Sequence, residues 1–584
     1  MSEIVRHGGS GRSRAWFACA LLFGAAFLSA TGCAPHTGKS LPPRAAAPGP
    51  LFADVASSAG LHYRWPSPVK RPLNILQTIG NGCAFLDYNN DGNLDILLVG
   101  PRLGLYRGDG KGHFTDVTSA TGLSKFSGDF LGCAVGDIDG DGYDDIFVTG
   151  YRTDLLLHND SGRGFHDITR QSGITPQPWS TSCAFAETVS GSGNLDLYVD
   201  NYADFGPRTV PQLCTDHGLK TSCGPRYYTP IKGVLYRNDG HGHFTDVTAQ
   251  AGLTAAKGRG LGVAFADFDG SGIPGIAVEN DEEPGDLFQG RRKGNTVVYT
   301  DIGEASGTAY DRDGNVHGAM GTDWGDYDND GKLDLLVATF QHDTKCLYHN
   351  EGAGEFTEMG LPTGLGSVTQ PYVAFGCKLF DYDNDGWLDV VIANGHVQDN
   401  IHAIDPSTTY RQDLQLLHNS GRTPVRFKDV SASSGPAFRT PIVGRGLAVG
   451  DYDNDGRLDL LVVDSEGKPL LLHNQSTSGN HWLGVRLIGT TSNRDGYGAM
   501  LTARVGARSY LRHCHADGSY LSSSDPRVHF GLGAARQVDS LTIRWPDGSE
   551  QTLNSIPADR YITVREIVPL AAGGGKPKPG GASA

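Results

Sequence analysis

The chain has 584 residues, of which 38% are hydrophobic and 20% charged, with 81 glycines. Those fractions exclude a largely disordered chain, and the glycine content suits a turn-dense, all-β fold. The formal charge of −16 argues against a nucleic acid partner.

Residues 1–33 read as a targeting segment. Arg12 and Arg14 precede an apolar run from Ala15 to Ala30 that is too short to span a bilayer comfortably. The run ends Leu28-Ser29-Ala30-Thr31-Gly32-Cys33, which resembles a bacterial lipoprotein signal cut before Cys33. Acyl chains on Cys33 would then anchor an exported protein in the cell envelope, the only membrane contact expected. An ordinary secretory signal with an incidental Cys is the alternative. Residues 34–50, rich in Pro and Ala, read as a tether.

From residue 51 to 476 one nonapeptide recurs. Its complete copies carry oxygen side chains at positions one, three, five and nine, with Gly at position six. They comprise Asp87, Asn89, Asp91, Asn93 and Asp95; Asp137, Asp139, Asp141, Tyr143 and Asp145; Asp326, Asp328, Asp330, Lys332 and Asp334; Asp381, Asp383, Asp385, Trp387 and Asp389; and Asp451, Asp453, Asp455, Arg457 and Asp459. Alternate residues of a tight loop point inward, and such a set of oxygens suits Ca²⁺. The variable position seven would contribute only its carbonyl. About five structural Ca²⁺ sites are expected. A metal-free hairpin turn rich in Asp and Asn is the plainer alternative. Each loop runs into an apolar strand, such as Leu460-Leu461-Val462-Val463, so these are strand–loop–strand cages rather than EF-hands.

Two further copies are eroded. Asp267, Asp269 and Ser271 form a weaker candidate that lacks the ninth-position Asp, and the copy between Glu187 and Asp196 is expected to be empty. The units start near 87, 137, 187, 267, 326, 381 and 451, a spacing that predicts a propeller or solenoid. Most units also share a Leu-x-His-Asn or related strand end and a Phe-x-Asp-Val strand. The last unit lacks the latter, and a spare copy, Phe52-Ala53-Asp54-Val55, precedes the first. An N-terminal strand completing the last unit predicts a closed seven-bladed β-propeller, because closure protects strand edges.

Cys83, Cys133, Cys183 and Cys377 occupy equivalent places before their cages and read as small buried side chains of the innermost strands. Cys214 and Cys223 lie in a polar, Pro-rich insertion near 202–232. In an exported protein this pair predicts a disulfide. After residue 476 the wording changes. Residues 477–570 carry four strand-like runs, Trp482 to Ile488, Leu501 to Val505, Leu541 to Trp545 and Tyr561 to Val564, and read as a small second β domain. Residues 571–584 are expected to be disordered.

The Asp-Tyr-Asp-Asn-Asp-Gly units resemble FG-GAP/VCBS repeats, the blades of integrin α-subunit propellers. Asn493-Arg494-Asp495-Gly496-Tyr497-Gly498, Gly518-Ser519-Tyr520-Leu521-Ser522, Val528-His529-Phe530-Gly531 and Arg544-Trp545-Pro546-Asp547-Gly548 are similar to the ASPIC/UnbV domain. Their order resembles the bacterial relatives of cartilage acidic protein, a resemblance that also fits Cys214 and Cys223. It implies a secreted or surface calcium-binding propeller whose molecular activity is poorly defined.

Other features are weaker. Arg107-Gly108-Asp109 aligns with Arg237-Asn238-Asp239 and reads as repeat drift, and His513-Cys514-His515 has no further metal ligands converging in sequence. No nucleophile-elbow, zincin or Cys-x-x-Cys motif occurs. The chain therefore reads as a binding or adhesion module for a protein or glycan. The alternative is a polysaccharide hydrolase or lyase at the ring's mouth, with His396 as the residue to test.

Overall fold

The structure is a computed structural model and describes residues 51–294 and 296–567. The targeting segment with Cys33, the 34–50 tether and the 571–584 tail lie outside the described residues. No helix among the described residues is long and apolar enough to cross a membrane.

The repeats form seven four-stranded antiparallel sheets. The first, blade 1, runs Cys83–Leu86, Asp95–Leu98, Gly104–Gly108 and Phe114–Asp116. The innermost strands of blades 2 to 7 are Phe130–Gly136, Ser180–Ala186, Gly260–Ala266, Ala319–Gly325, Ala374–Phe380 and Gly444–Gly450. Each of these seven strands touches its neighbours in order, and the strand of blade 7 returns to that of blade 1. Blade 7 is completed from the start of the chain, where Phe52–Asp54 pairs with Pro469–Asn474. The result is a closed β-propeller.

The two inner strands of every blade are buried along their whole length. This explains their continuous apolar runs, since each blade packs between two others. Cys83, Cys133, Cys183 and Cys377 lie buried on the innermost strands. Cys214 and Cys223 are disulfide-bonded within the insertion of blade 3, which carries a two-stranded hairpin of its own.

Residues 481–565 form a three-stranded sheet packed with a four-stranded one. The strands expected from sequence are present as His481–Ile488, Met500–Val505, Gln537–Arg544 and Arg560–Arg565. Three more, Arg508–His513, Val528–Gly533 and Glu550–Pro557, are added by the structure.

The segment between Arg508–His513 and Val528–Gly533 does not stay in its own domain. It enters the axis of the ring and bonds to every blade. The Phe85 N–H donates to Ser523 O (3.1 Å) and the Cys133 N–H to Leu521 O (3.2 Å). The Leu521 N–H donates to Ser182 Oγ (3.1 Å), and the Phe265 N–H to Asp517 Oδ2 (2.9 Å). Thr322 and Ser519 exchange both backbone bonds, Lys378 donates to Asp517 O, and the Asp525 N–H donates to Val449 O. Gly82 permits this approach, because a Cβ there would lie 1.7 Å from the Leu521 carbonyl oxygen. The ring and the C-terminal domain thus share one axial core.

Candidate metal centres and the opposite mouth

Each complete cage is wound around its first carboxylate. In blade 6, Asp381 accepts the N–H groups of Asp385 (3.1 Å) and Gly386 (2.7 Å). Asp87, Asp326 and Asp451 repeat this pattern, and Asp137 takes Gly140 and Gly142. The glycine at position six is left-handed in every complete copy, for example Gly386 at φ 93°. Position four is left-handed too. Asn90, Asn329, Asn384 and Asn454 sit at φ 56–61°, and Gly140 takes the place in blade 2. Asn tolerates this region better than most residues, so the Asn at position four has the same backbone reason as the Gly at position six.

The ninth carboxylate ties the cage to its own blade. Asp389 accepts the Tyr382 N–H (3.3 Å) through one oxygen and the Asn419 N–H (2.7 Å) through the other. Asp95, Asp145 and Asp334 do the same, and Asp459 accepts the Asn474 N–H. The third and fifth carboxylates close the loop around the first, with Asp137, Asp139 and Asp141 bringing oxygens within 4.8 Å of one another. The position-seven side chains vary in contact, and Lys332 and Arg457 fold back onto Asp330 and Asp455.

Burial and the neighbouring carboxylates push Asp326 up to about 8 and Asp389 up to about 7. The oxygens Asp383 Oδ1, Asp453 Oδ1 and Asp459 Oδ2 are buried without a hydrogen-bond partner. Crowded, buried and partly orphaned carboxylate oxygens fit a hard divalent cation, which would relieve both desolvation and mutual repulsion. The side chains of positions one, three, five and nine would hold it, and its role there would be structural.

A histidine accompanies four of these cages. The Nδ1 atoms of His158, His349, His418 and His473 lie 3.0–3.2 Å from Asp145, Asp334, Asp389 and Asp459. The adjoining Asp145 carboxylate raises His158 to about 9, and Asp334 raises His349 likewise. An imidazole there fixes the ninth carboxylate as an outer partner would. The repeated Leu-x-His-Asn wording was its sequence signal.

The Asn of the same tetrapeptide is a staple between blades. Asn419 Nδ2 donates to Leu388 O (3.0 Å) in its own cage and to Tyr327 O (2.9 Å) in the cage of the preceding blade. Asn159, Asn238, Asn350 and Asn474 make the equivalent pairs of bonds. The eroded copies are held differently. Asp267 pairs with Arg544 (2.6 Å) and Asp269 with Arg291 (2.7 Å), while Ser271 donates its backbone N–H to Asp269. Glu187 accepts the N–H and the side-chain amide of Asn493 at 2.8 and 3.0 Å.

The opposite mouth of the ring holds a cavity of about 380 Å³. Its wall includes Cys223 and Arg226 of the insertion, Asp281 of blade 4, Phe340 and Asp343 of blade 5, and Phe375 and His396 of blade 6. His396 thus stands beside the insertion, as its place in the sequence suggests. His513 and His515 stack with ring centroids 3.8 Å apart on the other side of the ring, His513 buried and His515 half-buried.

Comparison with known proteins matches residues 489–569 to the ASPIC and UnbV family, and residues 87–148, 326–392 and 381–462 to the FG-GAP-like repeat. Cartilage acidic protein 1 of Xenopus tropicalis is 27% identical over 499 residues, covering 80% of this chain and 70% of its own length. The Mus musculus protein is 25% identical over 520 residues, covering 83% and 73%. Among solved structures, an Agrocybe aegerita lectin that recognises non-reducing terminal N-acetylglucosamine is similar at 15% identity and a TM-score of 0.38, covering 67% of this chain and 86% of that one.

The chain carries FG-GAP-like repeats and an ASPIC and UnbV domain.

The ASPIC and UnbV domain lies on the cage side of the FG-GAP ring. Tyr561 donates to Asp451 Oδ2 (2.7 Å), and Arg527 donates to the Asp451 carbonyl (2.7 Å). Asp495 accepts the Asp137 N–H (2.9 Å), Arg512 donates to Gly386 O (3.2 Å), and His529 Nε2 meets Asn384 Oδ1 at 2.7 Å. Complete and eroded cages alike are therefore roofed by one domain.

Proposed function

We propose that this protein is an exported, lipid-anchored binding module of the cell envelope, stiffened by Ca²⁺ in its complete cages. The ligand is a protein or glycan held at the mouth opposite those cages. One observation carries the reading: the cages meet the ASPIC and UnbV domain, so a cation there braces the molecule, while the cavity and the disulfide-closed insertion share the other face. Likeness to cartilage acidic protein 1 agrees with a binding or adhesion role rather than a defined chemistry.

The hydrolase or lyase alternative would place His396 against its substrate. That ring accepts the Gln398 N–H at Nδ1 (2.9 Å), so its proton sits on Nε2 and it is set up to donate. The binding reading is tested by immobilising residues 34–584, offering envelope extract with Ca²⁺ or with chelator, and identifying what is retained. A protein or glycan retained only with Ca²⁺ supports it. Nothing retained in either condition sinks it and sends the search to substrates.

A further inference from the structure

Two polar atoms in the mouth cavity have no hydrogen-bond partner: Nε2 of His396 and Oε1 of Gln341. His396 is fully buried, and its Nδ1 is already engaged, so Nε2 is a donor facing no acceptor. Gln341 offers the converse, an acceptor facing no donor.

The charges around the cavity are sorted by blade. Asp281 and Asp343, from blades 4 and 5, hold only the Tyr202 hydroxyl (2.5 Å) and the Gly318 N–H (3.0 Å), and neither is in an ion pair among the described residues. Glu282, beside them, is paired with Arg226 at the rim. Lys345 is buried behind Phe340, with its ammonium on the Phe340 and Tyr372 carbonyls. Arg445 lies behind His396. Its guanidinium donates to the Gly395 and His396 carbonyls and covers the Phe375 ring at 3.8 Å. The wall also has an apolar part: Ile79, Leu261, Met320, Phe340 and Phe375. The cavity thus combines acceptors from blades 4 and 5, a donor from blade 6 and an apolar wall, and its volume suits a small molecule or one side chain.

We infer that the cavity binds a dipolar ligand, with a protonated amine at Asp281, Asp343 and Gln341, an apolar stem along the apolar wall, and an acceptor oxygen at His396. The proposal rests on the mouth being the binding face. Such chemistry belongs to a free amino-acid-like metabolite or to a lysine side chain on a partner.

The test is calorimetric titration of residues 34–584 in Ca²⁺ with 6-aminohexanoate, hexylammonium, hexanoate and Nα-acetyl-lysine-N-methylamide. Saturable binding of 6-aminohexanoate, about tenfold weaker binding of hexylammonium, and none of hexanoate is the expected result. His396→Leu should erase the difference between the two amines. Asp281→Asn should weaken both at least tenfold, and Asp343→Asn serves if the first variant melts early. Tighter binding of the lysine amide than of 6-aminohexanoate assigns a protein-borne lysine, and the reverse order assigns a free metabolite. Hexanoate binding as well as the amines, or no saturable binding by either amine-and-oxygen probe, overturns the proposal. An envelope partner retained without competition by any amine overturns it too, yet leaves the binding-module reading standing. Amine binding with no retained partner does the opposite.

Discussion

At the scale of single residues, the asparagine near the end of the third strand in five of the blades is the most exposed to test. Asn419 supplies two bonds to carbonyls in adjoining blades, and its side chain is fully buried. Asn419→Ala leaves both carbonyls without that donor and should cost about 2–3 kcal/mol in urea unfolding. A loss no larger than that of a surface Asn→Ala control would remove the staple from the account. His317 gives a pH test away from the cages. Burial pushes it down to about 4, so the folded state holds it neutral. Its unfolded value is about 6.5, so its contribution is intact above that and is lost as pH falls towards 4. His317→Gln should therefore flatten the stability loss in that window relative to wild type, by up to roughly 3 kcal/mol. Parallel curves from chemical denaturation at each pH would refute this. The cage carboxylates could be read from sequence because their spacing repeats. The left-handed Asn at position four could not, since its role depends on backbone angles, and the repeated Leu-x-His-Asn marked the histidine's place without its tie to the ninth carboxylate on a neighbouring strand.

At the scale of elements, the axial segment around Asp517 to Asp525 is where sequence reasoning fell short. Gly518-Ser519-Tyr520-Leu521-Ser522 is visible as a domain motif, but nothing in it says that it belongs inside another domain. Its partners are distant in sequence, such as Ile79, whose carbonyl accepts the Tyr520 hydroxyl at 3.0 Å. Irregular backbone satisfied by far-off strands has no period to detect. Glu550–Pro557 was missed for a related reason, because it is polar and largely exposed. Gly82→Ala is the sharp test of the segment. Its Cβ meets backbone, which cannot swing aside, so the variant should lose at least about 3 kcal/mol and gain protease cleavage between residues 514 and 527. Gly224→Ala, whose Cβ meets nothing closer than 3.8 Å, should behave as wild type. Equal protease resistance in the two variants would refute the packing described.

At the scale of the molecule, cages, staples and roof act together. The ring and its closing strand were legible from the uneven count of Phe-x-Asp-Val copies, and Phe52–Asp54 does pair with the last blade. The docking of the second domain on the cages was not, because Arg527, Tyr561 and Arg544 carry no motif for it. If Ca²⁺ braces this whole, a chelator should lower the melting temperature of ring and roof in a single transition. Asp383→Ala in Ca²⁺ should shift it part of the way. Coincident melting curves with and without chelator would dismiss a structural cation.

The axial segment and the closing strand also set a timetable for folding. Asp54 is engaged by Leu471, 417 residues later, and Cys83 by Ser522, 439 residues later. A ribosome releases the chain from its start, so blade 1 must wait with an open flank and an empty hub until blade 7 and the axial segment have been made. Long-range closure of this kind slows folding and leaves unpaired strand edges exposed meanwhile. Chains cut short before residue 469 are left with both flanks of the ring unsealed, and aggregation rather than partial activity is their expected fate.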